Sequence, residues 1–376
     1  MNAARSHAVV APARLLAIAP LVAMLALAAS CAQRAPEPWQ AVAVPTDADF
    51  SGMWFTDSLN GWVAGGGWAI EGGIVGRTRD GGRTWSFDSG IIPNAGERAA
   101  MGRVQFRDSL FGRATAGHAG VLLTDDGGHS WRPAAGASSS GLYDLHFIDP
   151  RSGWAAGTSV ARTEDGGETW NTLTSSTGDR GFVLANAVAF TSATRGWAVG
   201  HGGSLRRTDD GGASWTPVAL PLRAGERPIL RGISFCEPDH GWIAGELGTI
   251  FRTRDGGTTW TLQESGVPIV RVIPRGEEPR PREVVPELET PPDRLEITAI
   301  RFADPANGWA VGSYSDVAES VVLRTSDGGE TWRVEHVQPG EMLRSLFVLD
   351  AGHAWAAGDR ARTQPQVILR YAPSGR

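Results

Sequence analysis

Hydrophobic positions along this chain alternate with polar or small ones over short runs, as in Met53 and Phe55, Val104 and Phe106, Leu145 and Phe147, Ile233 and Phe235, and Ile300 and Phe302. A period of two marks strands with one buried face. Strands of this type are expected at residues 52–57, 103–108, 142–149, 185–191, 232–237, 297–304 and 344–350. Each precedes a more apolar run of the form G-W-[AVI]-[AV]-G at Gly61-Trp62, Gly153-Trp154, Gly196-Trp197, Gly241-Trp242 and Gly308-Trp309, with Ala354-Trp355 as a degenerate sixth. The second repeat departs from the pattern, carrying Phe111-Gly112-Arg113 there, and local repacking rather than a missing unit is expected.

A third signal punctuates these runs. The octapeptide T-x-D-G-G-x-[ST]-W ends at Trp85, Trp131, Trp170, Trp215, Trp260 and Trp332, with aspartates Asp80, Asp126, Asp165, Asp210, Asp255 and Asp327 spaced by 46, 39, 45, 45 and 72 residues. An Asp heading a tight turn accepts backbone N–H bonds, paired glycines permit positive φ, and the Trp opens the next strand, so each octapeptide is a hairpin corner. A period of this length holds four short strands, the size of one propeller blade. Residues 39–44 repeat the spacing of an outer strand that has no blade of its own, while the last repeat lacks a fourth strand. The chain is therefore expected to be all-β, a seven-bladed β-propeller over residues 39–371 in which the N-terminal strand completes the last blade and leaves no free sheet edge between the first and last blades.

The octapeptides resemble the Asp-box, or bacterial neuraminidase repeat, which is structural and lies away from catalysis in the propellers that carry it. A box R-T-x-D-G-G-x-T-W following F-x-D-x-x-x-G-W-A-V-G is similar to the photosystem II stability/assembly factor family of propellers. That resemblance implies a non-enzymatic scaffold with an Arg-rich protein-docking face. Sialidases, the rival comparison, combine an Arg triad, a Tyr–Glu pair and F-R-I-P before the boxes. No F-R-I-P occurs here; of the three tyrosines, Tyr143, Tyr314 and Tyr371, Tyr143 enters an inner strand and could face the channel, but it has no clear Glu partner in sequence and is expected to pack at the rim. A sialidase-like glycan-binding or glycoside hydrolase propeller is the alternative, which a carboxylate and Tyr facing the channel would favour.

Composition narrows the partners. The formal net charge is −6, so no overall basic field points to nucleic acid. All basic side chains are Arg, which removes lysine-nucleophile chemistry. The eight histidines lack metal-ligand spacing and the box aspartates are committed to turns, so neither metal nor cofactor is expected. Residues 1–31 read as a lipoprotein signal peptide, with Arg5 and Arg14, an apolar Leu15–Ala29 and then Ala28-Ala29-Ser30-Cys31. Lipidation at Cys31, followed by a tether over 32–38, would place the propeller outside the cytoplasm, in the periplasm or at the outer membrane of a bacterium. Cys236 would then be the only thiol, excluding an internal disulfide. A Pro-, Glu- and Arg-rich insertion spans 273–294, and 372–376 is a tail.

Thirteen of the fifteen tryptophans fall in the repeat and are assigned to the core. Trp68 falls outside it, in a loop with Glu71, and is a candidate contact. Arg77, Arg162, Arg207, Arg252, Arg324 and Arg370 occupy one slot and are expected to pair with acidic neighbours. Arg98, Arg103, Arg180, Arg227, Arg231 and Arg344 instead lead into the innermost strands. There they could converge as a basic patch around the channel mouth and bind a polypeptide, with membrane contact through the lipid alone. A monomer is expected.

Overall fold

The computed structural model describes residues 38–67, 70–92, 100–117, 119–136, 141–175, 184–263, 295–314, 319–340, 342–359 and 366–373. Cys31, Trp68, Arg98, His118, Arg180 and the 273–294 insertion lie outside the described residues, as does the side chain of Glu71. The described strands form seven four-stranded antiparallel sheets, the blades. In six of them the chain runs outward through four consecutive strands, as in Asp49–Phe55, Gly61–Gly67, Ile70–Thr78 and Ser86–Ser89 of the first blade. In the seventh, Met342–Asp350, His353–Asp359 and Val367–Tyr371 are completed by Trp39–Ala43 from the other end of the chain. Trp39 pairs with Tyr371 and Ala43 with Val367, and Ala372 N–H donates to the Pro38 carbonyl at 2.6 Å. The expected closure across the termini is observed.

Each box closes its corner identically. In the first, Gly82 N–H donates to Thr78 Oγ1 at 2.9 Å, Thr78 Oγ1 donates to Asp80 Oδ1 at 2.8 Å, and Thr84 supplies its N–H and hydroxyl to the same carboxylate at 2.9 and 2.6 Å. Gly81 and Gly82 take φ of 71° and 84°, where a Cβ is strained. Against the penalty of burial, donors such as Thr84 hold the Asp80 carboxyl at about 2. Asp126, Asp165, Asp210 and Asp327 also stand at about 2, and Asp255 is lowered likewise.

Between blades an aromatic sandwich repeats. Each of six inner strands carries near its end a Phe whose cross-strand partner is the glycine before the Trp, or before Arg113 in the second blade: Phe55 opposite Gly61, Phe106 opposite Gly112, and so on through Phe302 opposite Gly308. A Cβ on any of these glycines would lie well inside contact with the ring. The ring stacks on the Trp of the preceding blade and meets its own box Trp edge-on. Trp62 lies 3.9 Å from Phe106, and Phe106 lies 6.0 Å from Trp131. Four of the five stacked indoles also donate to a box glycine, as Trp62 does to Gly127 O at 2.9 Å and Trp154 to Gly211 O at 2.8 Å, whereas Trp197 Nε1 has no acceptor among the described residues. Each stack adds about 0.5–1.5 kcal/mol beyond area burial.

Two junctions differ. In the second blade Arg113 stands in the Trp position, its Nε donating to Gly166 O and its guanidinium 6.0 Å from the Phe147 ring. This is the expected repacking. In the seventh blade Val348 replaces the Phe and faces Ala354, the smaller side chain making room for the Cβ that the other blades cannot hold. The preceding Trp309 then has no ring to stack on and no box to donate to. Glu335 Oε2 instead accepts from Trp309 and Trp39 at 3.1 and 3.0 Å, while Arg324 lies 4.4 Å above Trp309 and bonds the Tyr371 hydroxyl.

Candidate functional site

The leading ends of the inner strands surround one mouth of the central channel, and the sequence builds that rim with a recurrent bulge. Ladder register slips between Phe50 and Gly52, Leu142 and Asp144, Ala185 and Ala187, Leu230 and Gly232, Ile297 and Ala299, and Leu343 and Ser345. The skipped residues are Ser51, Tyr143, Asn186, Arg231, Thr298 and Arg344. A bulge frees a residue from the ladder and re-aims its side chain. Here several aim at the next blade, Asn186 Nδ2 donating to Leu230 O at 2.9 Å and Thr298 Oγ1 to Leu343 O.

Arg231 ion-pairs with Glu246 at 3.2 Å and with Glu296 of the next blade at 2.8 Å. Arg344 pairs with Asp359, whose carboxyl burial pushes up although the guanidinium opposes it. Arg103, nearly buried, lies 3.3 Å from Asp144 of the next blade, and Asp144 Oδ2 accepts Val188 N–H of the blade beyond. Arg227 is exposed on the loop before the fifth blade, with no carboxylate within ion-pair distance among the described residues. Three of the proposed arginines are thus fixed to the scaffold by neighbouring carboxylates, and Arg227 is open to solvent.

A second ring lies deeper, one residue before each inner-strand Phe. Gln105 exchanges two hydrogen bonds with the Phe147 backbone, and His146 Nε2 lies 3.1 Å from Phe190 O. Arg301 donates to Ile300 O at 2.8 Å; burial and the repulsion of Arg103, offset by Asp144, lower its guanidinium to about 10. Burial likewise lowers His146, keeping it neutral. In this part of the bore Arg103 pairs with Asp144 while Arg301 feels the same carboxylate at longer range, a local excess of positive charge. Arg301, His146 and Asp144 were missed as candidates. Counting one and three residues back from each inner-strand Phe would have found them.

Of the outer arginines, Arg77 pairs with Asp88, Arg162 with Glu164, Arg207 with Asp209, Arg252 with Glu330 and Arg324 with Glu335, whereas Arg370 meets Gln40. Tyr143 stands at the rim, 47% of its surface measure exposed. Tyr314 and Tyr371 are buried, the latter in the outer seam beside Arg324. Among the described residues no Tyr hydroxyl hydrogen-bonds a carboxylate, and no cluster of His, Cys, Asp or Glu could hold a metal ion. Burial raises the Cys236 thiol to about 11, leaving it unreactive.

Residues 135–230 match the model of a family described as photosynthesis system II assembly factor YCF48, so the resemblance read from the motifs is found independently in these residues. A solved structure described as YCF48 bound to D1 peptide is 19% identical, covers 89% of this chain and 97% of its own, and superposes with a TM-score of 0.62. YCF48 from Cyanidioschyzon merolae is 19% identical over 90% of this chain and 99% of its own, with a TM-score of 0.64. The GH74 enzyme of Niastella koreensis is 14% identical over 87% of this chain and 52% of its own, with a TM-score of 0.54. Identities this low show a shared fold. No curated protein matches the chain.

Proposed function

We propose that this propeller is a non-enzymatic scaffold that captures a polypeptide at its arginine-lined channel mouth, as an assembly factor of the photosystem II type. It would be held at an extracytoplasmic membrane surface by a lipid on Cys31. The observation that carries the reading is the rim itself: Arg103, Arg231 and Arg344 are held in place by carboxylates of the scaffold, and Arg227 is exposed on the loop that leads into the fifth blade. Prepositioned arginines suit recognition of carboxylates and backbone carbonyls on a partner. The family match over residues 135–230 and the D1 peptide bound by a propeller of the same fold support this reading.

The test is recovery of partners from membranes with the full chain as bait. Arg227→Glu combined with Arg231→Gln is expected to abolish recovery while leaving the melting temperature within a few degrees. Wild-type recovery should also fall as salt rises past ~0.15 M, where the Debye length is roughly 8 Å. Full recovery by the folded double variant would refute docking at the mouth. Labelled fatty acid should enter the wild type and not Cys31→Ala, which should move to the soluble fraction, since stable anchoring needs more than one acyl chain.

A further inference from the structure

Five of the seven blade junctions are filled by an indole lying on the next blade's Phe, at 3.4 to 4.3 Å between ring centroids. The junction between the second and third blades has every other part of that arrangement. Phe147 is in place, Trp170 meets it edge-on at 5.9 Å, and the Gly166 carbonyl accepts a hydrogen bond. The indole is absent and Arg113 supplies the donor. An arginine is narrower than an indole, and a cavity of about 260 Å³ opens there, lined by Phe106, Phe147, Ile148, Pro150 and the two arginines Arg107 and Arg113.

Arg113 is only 8% exposed and has no carboxylate within ion-pair distance among the described residues; burial lowers its pKa. Glu168 and Asp125 act on it only from beyond ion-pair distance, and a desolvated guanidinium that lines an open cavity with no contacting counter-charge favours an anion. The other charges facing the cavity are already engaged: Arg107 pairs with Asp108 at 2.9 Å and lies 4.2 Å over Phe111, and Asp149 accepts Arg151 and Ser152 N–H at 2.7 Å each. Leu110, in the turn between Arg107 and Arg113, is half exposed. These hairpin turns lie at the trailing ends of the inner strands, on the face opposite the arginine rim.

We infer that this junction is a second binding site, independent of the mouth, for an aryl group bearing or adjoining a carboxylate: the ring enters the vacant indole position against Phe147 and the carboxylate meets Arg113. The same chemistry is offered by a free aromatic acid and by a partner segment with an aromatic residue next to an acidic one.

Fluorine NMR of 5-fluoroindole-3-acetate with the full chain tests this. The expected result is saturable broadening with Kd on the order of 1 mM, as suits so small a ligand, and at least 5-fold weaker binding of 5-fluoroindole-3-acetamide. Arg113→Trp, which recreates the other junctions, should weaken binding of the acid at least 10-fold and melt no lower than wild type. Arg113→Gln, which keeps the cavity, should bind acid and amide equally. The peptide acetyl-Gly-(5-fluoro-Trp)-Glu-Gly-amide assigns the source: tighter binding than the free acid marks a polypeptide ligand, weaker binding a small aromatic acid. No saturable binding by either probe, equal binding of acid and amide to wild type, or undiminished binding by Arg113→Trp would each overturn the site.

Discussion

Single residues at the sixth-to-seventh junction carry work that a whole box carries elsewhere. Glu335 satisfies two buried indole N–H groups and offsets the Arg324 guanidinium, 3.7 Å away. Replacing it with Leu leaves three polar groups without their acceptor, a cost expected at about 2–4 kcal/mol, measurable as a lower urea midpoint; Glu335→Gln should lose less. Titration adds a second residue-scale expectation. His146 is held neutral, with its folded pKa below 6.5, so its contribution is complete above that value and is lost as pH falls. The box carboxylates stand at about 2 against 3.8, so theirs is complete above 3.8 and is lost as pH falls toward 2. Melting temperature should therefore decline in two stages, and His146→Asn should remove only the upper one.

At the scale of elements, the paired Phe and Gly of each blade make one prediction sharp. Val348→Phe drives a ring into the Ala354 Cβ and should destabilise by about 1–3 kcal/mol. Joined to Ala354→Gly, which recreates the pairing of Phe55 with Gly61, it should recover most of that loss, a coupling measurable as a double-mutant cycle. The strands, the boxes and the Gly-Trp runs were legible beforehand because each is a local rule, a period of two or a turn that only glycine fits. What a side chain meets on the next blade was not, since it depends on contacts between residues about 45 positions apart. Arg113 could be read as an exception, but not that it would donate to Gly166 as an indole does. The rim arginines could be grouped by position, whereas their carboxylate partners Asp144, Glu246, Glu296 and Asp359 come from bulges and neighbouring strands.

For the whole molecule, the outer strand borrowed from the N-terminus is the structural condition for a closed ring. Deleting residues 32–45 exposes the edge of Val367–Tyr371 and removes the buried Trp39, so the melting temperature should fall by several degrees or more. Deleting 275–292, between the fifth and sixth blades, should leave it unchanged. Equal melting of the 32–45 deletion and wild type would show that the closing strand is dispensable.

The pairing of Trp39 with Tyr371 also sets an order of events in time. A chain made or exported from its N-terminus presents its first strand at once, yet the partner of that strand is almost the last segment to emerge. Until then Trp39–Ala43 has no ladder, and the blades before the seventh can form only an open arc whose two end blades each leave an apolar face uncovered. Ring closure is a contact of the longest sequence separation the molecule contains, and such contacts form late. Nascent chains that stop short of Val367 should remain protease-sensitive at their N-terminal strand however many blades they have already built, and release of the last few residues should protect both ends together.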